Sequence, residues 1–219
     1  MTNKLRIDYY SDVLCVWAWI SQRRLQELSE EWQDKIDVHF HFLNLFGDVH
    51  SRINEKWADK GLFKGFGEHI LDAVKPFDNA PVDPQVWQNC QPKTSSNAHL
   101  ILKAVDLCYS SKEVANMAFQ FQSAFFQRSE DVSEMSVLFD ILESQSLSSS
   151  NIRQKLDNGT AMAALMRDYQ LAKDLNVKGS PTWIMNNGRQ ELFGNVGYRI
   201  LTANIKEVLE KPSHQASWC

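Results

Sequence analysis

The stretch Leu5-Arg6-Ile7-Asp8-Tyr9-Tyr10-Ser11-Asp12-Val13-Leu14-Cys15-Val16-Trp17-Ala18 decides the fold. Leu5 to Tyr9 alternates apolar and polar residues with a period of two, the pattern of a strand with one buried face. Ser11-Asp12 is a turn. A helical pattern then runs from about Cys15 to Trp32, with Trp17, Ile20, Leu25 and Leu28 near helical spacing. Cys15 therefore stands just past a strand, in the first turn of a helix. Backbone N–H groups there lack partners, and the helix dipole places partial positive charge beside the sulfur. Both favour thiolate, the reactive form. Asp12 opposes them, and the net expectation is a thiol pKa of about 6–7.5, below the free value of ~8.5.

Outward from that stretch, Ile36 to Phe42 alternates again, with Ile36, Val38, Phe40 and Phe42 on one face. Strand, helix and strand make a βαβ unit, whose crossover is right-handed. His39 and His41 fall on the other face and read as solvated or edge residues. From Val49 to Leu175 the pattern is helical, broken at Pro76, at Pro81 to Pro84 and at Pro92. The best helices there are Asn97 to Tyr109, Glu113 to Gln127 and Thr160 to Leu175, with Ser95 or Ser96 as N-cap of the first. The serine-rich patch Ser144 to Ser150 joins two helices. Strand character returns at Thr182 to Met185, Asn187-Gly188 makes a tight hairpin turn, and Gln190 to Phe193 follows. A last helix runs from Tyr198 to about Leu209, before Pro212.

Composition narrows the function classes. The chain has 219 residues and a net charge of −4, with no basic stripe, so nucleic acid is not an expected partner. A chain this long buries ~70% of its unfolded surface and needs no disulfide or metal to fold. Its longest apolar run, Val13 to Ile20, is far short of the ~20 residues a membrane span requires, and no signal-peptide core precedes it. A cytoplasmic location without membrane contact is expected. The four cysteines, Cys15, Cys90, Cys108 and Cys219, form no C-x-x-C pair and no zinc-ligand spacing, so no metal site is expected.

The segment Val177-Lys178-Gly179-Ser180-Pro181-Thr182-Trp183 puts a proline at the start of a strand, where the missing ladder donor is tolerated. Taken with the cysteine after the first strand, the order of elements resembles the thioredoxin fold, and within it the DsbA-type family. Ser11-Asp12-Val13-Leu14-Cys15-Val16-Trp17 resembles the start of that family's FrnE-like branch. Ser95-Ser96-Asn97-Ala98-His99-Leu100 resembles a helix start found in that branch and in related isomerases, and Phe193-Gly194-Asn195 resembles the turn before the last helix. The fold class implied is α/β, a thioredoxin-like fold with an all-helical insertion between the βαβ and ββα halves. Residues 1–48 and 171–211 would form the thioredoxin-like part, 49–170 the insertion and 212–219 a loose tail.

Family oxidoreductases carry C-P-W-C, whereas this chain has Cys15-Val16-Trp17-Ala18. Alanine can neither resolve a mixed disulfide nor hold a reversible one. The resemblance thus implies a monothiol thiol-disulfide oxidoreductase with Cys15 as nucleophile, no bound cofactor, and glutathione or another thiol or disulfide as co-substrate. Trp17, Ser180, Pro181, Gly194 and Asn195 would bind it, with Ser180–Pro181 cis, the Ser180 backbone pairing with the cysteinyl part, and the Gly194-Asn195 turn taking the γ-glutamyl carboxylate. Asn97 and His99 are candidate cleft-lining residues, His99 having an alternative as a hydrogen-bonded structural histidine. The relatives also imply a homodimer. Two other functions stay open: a glutathione-dependent isomerase or transferase of the kappa and 2-hydroxychromene-2-carboxylate isomerase type, or a binding protein that has lost its redox chemistry. The Asp-Arg pair usual in that turn of the isomerases is Asn195-Val196 here, which weakens the transferase reading.

Overall fold

The computed structural model describes residues 4–211. The expected tail, with Cys219, lies outside the described residues. Strands β1 (Leu5–Ser11), β2 (Ile36–Phe42), β3 (Thr182–Met185) and β4 (Gln190–Phe193) form one sheet in the order β2-β1-β3-β4. β1 and β2 are parallel, Leu5 opposite Ile36 through Ser11 opposite Phe42, whereas β3 runs antiparallel to β1 and β4 to β3. This is the thioredoxin-like arrangement of a βαβ half joined to a ββα half.

The crossover between β1 and β2 is not one helix. It divides into α1 (Val16–Ile20) and α2 (Gln22–Trp32), with Ser21 between them. The Ile20 carbonyl at the break takes side-chain donors, Arg24 Nη1 at 3.4 Å and Asn79 Nδ2 at 3.5 Å. Between β2 and β3 lie α3 (Val49–Trp57), α4 (Leu62–Val74), α5 (Val86–Asn89), α6 (Ser96–Asp106), α7 (Ser111–Arg128), α8 (Met135–Ser144), α9 (Ser149–Asp157) and α10 (Thr160–Asp174). α11 (Tyr198–Glu210) follows β4. Pro76, Pro81, Pro84 and Pro92 fall between helices, where a missing N–H is tolerated. Ser95 stands at the N-cap position of α6 but makes no side-chain capping bond: it has helical dihedrals and its hydroxyl donates to Asp12, while Thr94 Oγ1 accepts the Ser96 N–H at 2.9 Å. In the β3–β4 hairpin Asn187 and Gly188 both have positive φ, and Arg189 N–H closes the turn on the Asn186 carbonyl.

One face of the sheet carries Ile7, Tyr9, Phe40 and Trp183 into the main core. That core takes in Leu25 and Leu28 of α2, Leu201 and Ile205 of α11, and Ile101, Phe121 and Leu138 of the insertion. The helical insertion has no core of its own apart from this one. On the other face Tyr10 and Ile184 meet Ala172 of α10.

That second face overturns the reading of His41 as solvated. His41 is buried. Its Nε2 faces Asp8 Oδ1 at 2.7 Å and its Nδ1 faces Asp168 Oδ1 of α10 at 2.9 Å. Asp168 also accepts the Phe42 N–H at 3.1 Å and pairs with Lys103 Nζ at 3.3 Å, and Lys103 continues to Asp106 at 2.8 Å. Alternation placed His41 opposite the core face, but only the return of α10 from far along the chain covers it.

Candidate active site

The turn after β1 is organised by Asp12, which is wholly buried. Buried carboxylates need hydrogen bonds, and this one has three donors. Its Oδ1 accepts the Leu14 N–H at 2.9 Å, and its Oδ2 accepts the Phe46 N–H at 2.9 Å and the Ser95 hydroxyl at 2.8 Å. Its own N–H donates to Ser180 Oγ at 3.0 Å. One residue, through its carboxylate and its own N–H, thus ties the end of β1 to the loop after β2, the start of α6 and the loop before β3.

Cys15 is the N-cap of α1, with extended dihedrals, and is 5% exposed. Its Sγ lies 3.3 Å from the Ser180 carbonyl, to which the thiol donates. The Ser180–Pro181 peptide bond is cis. Burial pushes the Cys15 thiol up. The Ser180 hydroxyl and the N–H groups of Ala18 and Trp17 pull it down, while Asp12 adds to the rise. The net direction is upward, which corrects the lowered value expected from the helix start. A helix start lowers the pKa of an exposed sulfur, but desolvation outweighs it in a site this closed.

Pro181 continues the chain of contacts, its carbonyl accepting the Gly194 N–H at 2.8 Å. Gly194 has φ +81°, which favours glycine, and Asn195 Oδ1 accepts from Arg24 Nη2 at 2.7 Å. Gly179 is needed for a different reason, since a Cβ there would stand 3.0 Å from the Phe193 ring. Trp17 is half-buried with its ring edge-on to Phe77, 6.4 Å between centroids. Ala18 is buried, and its backbone N–H faces the Cys15 sulfur. Cys15, Ser180, Pro181, Gly194 and Asn195 are therefore joined through successive contacts, and Trp17 stands beside them.

His99 does not line an open cleft, and Asn97 is half-buried. Asn97 Nδ2 donates to the Ser133 carbonyl at 2.6 Å, toward the α7–α8 connection. His99 is wholly buried, stacks on Phe42 at 4.9 Å, and its Nε2 accepts the Val13 N–H at 3.2 Å. Burial lowers its pKa, against the pull of Asp12, so a neutral ring holds the turn before Cys15 in place. The site residues that sequence reading missed are the Ser180 hydroxyl, Asp12 as a tether, and Arg24. Only Asp12 carried a local signal, as a buried-type turn acid beside the nucleophile.

The other described cysteines, Cys90 and Cys108, are free. Cys90 follows α5, where burial and then Asp131 push its thiol up to about 12. Cys108 Sγ lies 3.9 Å from the Asn151 carbonyl. Among the described residues no group of three or more His, Cys, Asp or Glu side chains is placed to hold a metal ion.

A family model for the DSBA-like thioredoxin domain matches residues 6–206, nearly the whole chain. The chain belongs to that family. That family is the DsbA-like thiol-disulfide oxidoreductase family. Among curated proteins it is similar to the ClpXP adapter protein SpxH of Halalkalibacterium halodurans, 22% identical over 96% of this chain and 70% of that one. A candidate protein disulfide isomerase from Nitrosomonas europaea shares the fold with a TM-score of 0.79 at 16% identity, covering 96% of this chain and all of that one. The cytosolic disulfide reductase DsbM of Pseudomonas aeruginosa, solved with GSH, matches with a TM-score of 0.66 at 18% identity, covering 95% and 98%. A 2-hydroxychromene-2-carboxylate isomerase matches at 0.63 and 16%, covering 97% and 100%.

Proposed function

We propose that this DSBA-like protein is a glutathione-linked thiol-disulfide oxidoreductase of the cytoplasm that works through one thiol, Cys15. The observation that carries this reading is the Cys15 sulfur 3.3 Å from the Ser180 carbonyl, beside a cis proline, with Ala18 where a resolving thiol would stand. The Cys15 thiolate attacks the glutathionyl sulfur of a mixed disulfide. That S–S bond breaks, the partner leaves as a thiolate and takes a proton from water, and a Cys15–glutathione disulfide forms. A second glutathione thiolate then attacks the glutathionyl sulfur, releasing oxidised glutathione and the Cys15 thiolate.

Ser180 has two parts in this. Its Oγ accepts the Asp12 N–H, which leaves its own proton free to donate to the sulfur. Its carbonyl holds the resting thiol proton, and a ligand N–H that pairs with this carbonyl as an added strand displaces that bond. The resting thiol is therefore latent and is released as the disulfide docks. The fold shared with a disulfide reductase solved with GSH supports glutathione as the co-substrate.

Burial of the sulfur favours a second reading, in which the groove binds a partner without redox chemistry; the similarity to an adapter protein fits it. Incubating the folded protein with oxidised glutathione at pH 8 and measuring intact mass decides between them. A glutathione adduct on Cys15 supports the enzyme, while an unmodified Cys15 after hours puts the binding protein first. Turnover of a glutathione mixed disulfide that survives Cys15→Ser would instead favour the isomerase–transferase class.

A further inference from the structure

We propose that Arg24 and Glu27, beside the Asn195 turn, form a subsite for the α-amino-acid head of the thiol ligand, a group with one carboxylate and one ammonium. This rests on the glutathione reading above and specifies which end of that ligand is recognised. A cleft of about 200 Å³ lies between α2 and α11, lined by Ile20, Arg23, Arg24, Glu27, Asn79 and Tyr198. Arg24 is oriented within it by three contacts, to the Ile20 carbonyl at 3.4 Å, Ser21 Oγ at 3.5 Å and Asn195 Oδ1 at 2.7 Å. None of the three is a carboxylate, although a guanidinium presents five donors in a fork suited to one.

Successive contacts link Arg24 to the loop that holds the sulfur. Contacts of 3.3, 2.8 and 2.7 Å run in series from Cys15 Sγ to the Ser180 carbonyl, from the Pro181 carbonyl to the Gly194 N–H, and from Asn195 to Arg24. Glu27 sets the choice of ligand group. A bare carboxylate would meet Glu27 as a like charge, whereas an α-amino acid puts its carboxylate on Arg24 and its ammonium on Glu27. Glu27 now accepts from Arg23 Nε at 2.9 Å in an exposed pair, which exchanges at little cost. In glutathione only the γ-glutamyl end has this head. Arg24 thus brings, from another element, the cation that the turn at Asn195-Val196 lacks.

The test uses S-methylated ligands, which bind without thiol exchange, and calorimetry on the wild-type protein. S-methylglutathione and S-methyl-γ-glutamylcysteine should bind within about threefold of each other. S-methyl-cysteinylglycine should bind about tenfold more weakly, the size of one lost charge-assisted contact. Arg24→Gln should weaken the first two about tenfold and level the preference, and Arg24→Lys should restore part of it. If Arg24→Gln does not fold by circular dichroism, the wild-type ligand series and its weakening with salt decide instead. Equal binding of all three ligands, no binding of S-methylglutathione, or a preference that survives Arg24→Gln would overturn the subsite. Arg24-dependent binding with no Cys15 adduct from oxidised glutathione would overturn only the redox reading.

Discussion

Cys15 shows how local and tertiary effects compete at one atom. Its place at the start of α1 supplies donors, yet burial sets the sign of its pKa shift. Removing the Ser180 hydroxyl should therefore push the thiol further up: Ser180→Ala should slow alkylation of Cys15 by iodoacetamide severalfold at pH 8, with the pH–rate curve moved to higher pH. An unchanged curve would show that the hydroxyl does not reach the sulfur. Ala18 is buried next to the thiol, so Ala18→Cys should add dithiol oxidase activity that the wild type largely lacks, at a cost in stability of about 1–3 kcal/mol for the extra buried volume. The assay is oxidation of a reduced, unfolded substrate. Equal rates in wild type and variant would mean that another cysteine resolves Cys15.

At the scale of elements, α10 is held to β1 and β2 by the Asp8–His41–Asp168–Lys103 cluster. Burial opposes charge on His41, but the hydrogen bonds it donates to Asp168 and Asp8 outweigh it, and its pKa is raised. A raised folded value means stability that is fully present below the unfolded pKa of ~6.5 and lost as pH rises through the folded value. Asp8 has the opposite sign. Burial raises it, yet the bonds from His41 and Arg6 bring it to about 2, so its contribution is present above ~3.9 and is lost as pH falls through about 2. The cluster should stabilise most between pH ~4 and ~6.5. His41→Gln should consequently cost most stability in that window and progressively less at higher pH, read from denaturant midpoints across pH. A flat difference from pH 5 to 9 would show that His41 is not charged in the folded protein.

For the whole molecule, the shared core has a consequence for unfolding. The insertion contributes Ile101, Phe121 and Leu138 to the same packed interior as Ile7 and Trp183, so it has little apolar surface with which to persist alone. Near-ultraviolet and far-ultraviolet circular dichroism should report one coincident thermal transition. Separate midpoints would make the insertion an independent unit. Asp12 joins the same parts through polar contacts. Asp12→Ala should lower the melting temperature, each orphaned buried donor costing about 1–3 kcal/mol, and should disorder the turn that presents Cys15.

The alternation in Leu5 to Tyr9 and Ile36 to Phe42, the helix start at Cys15 and the Gly179-Ser180-Pro181 entry to a hairpin were enough to determine the order of elements and the thiol-bearing turn. Those are local properties: period, caps and proline are written in adjacent residues. Ala18 was equally plain, because the lack of a second cysteine needs no structure to be seen. What only the tertiary structure decided involves partners far apart in the chain. Desolvation of Cys15, the neutral buried state of His99, the hydrogen bond of Asn97 to Ser133, the charged sandwich around His41 and the approach of Arg24 to Asn195 all depend on which distant elements pack together. Burial and electrostatic energy scale with that three-dimensional company, and no pattern of spacing along the sequence records it.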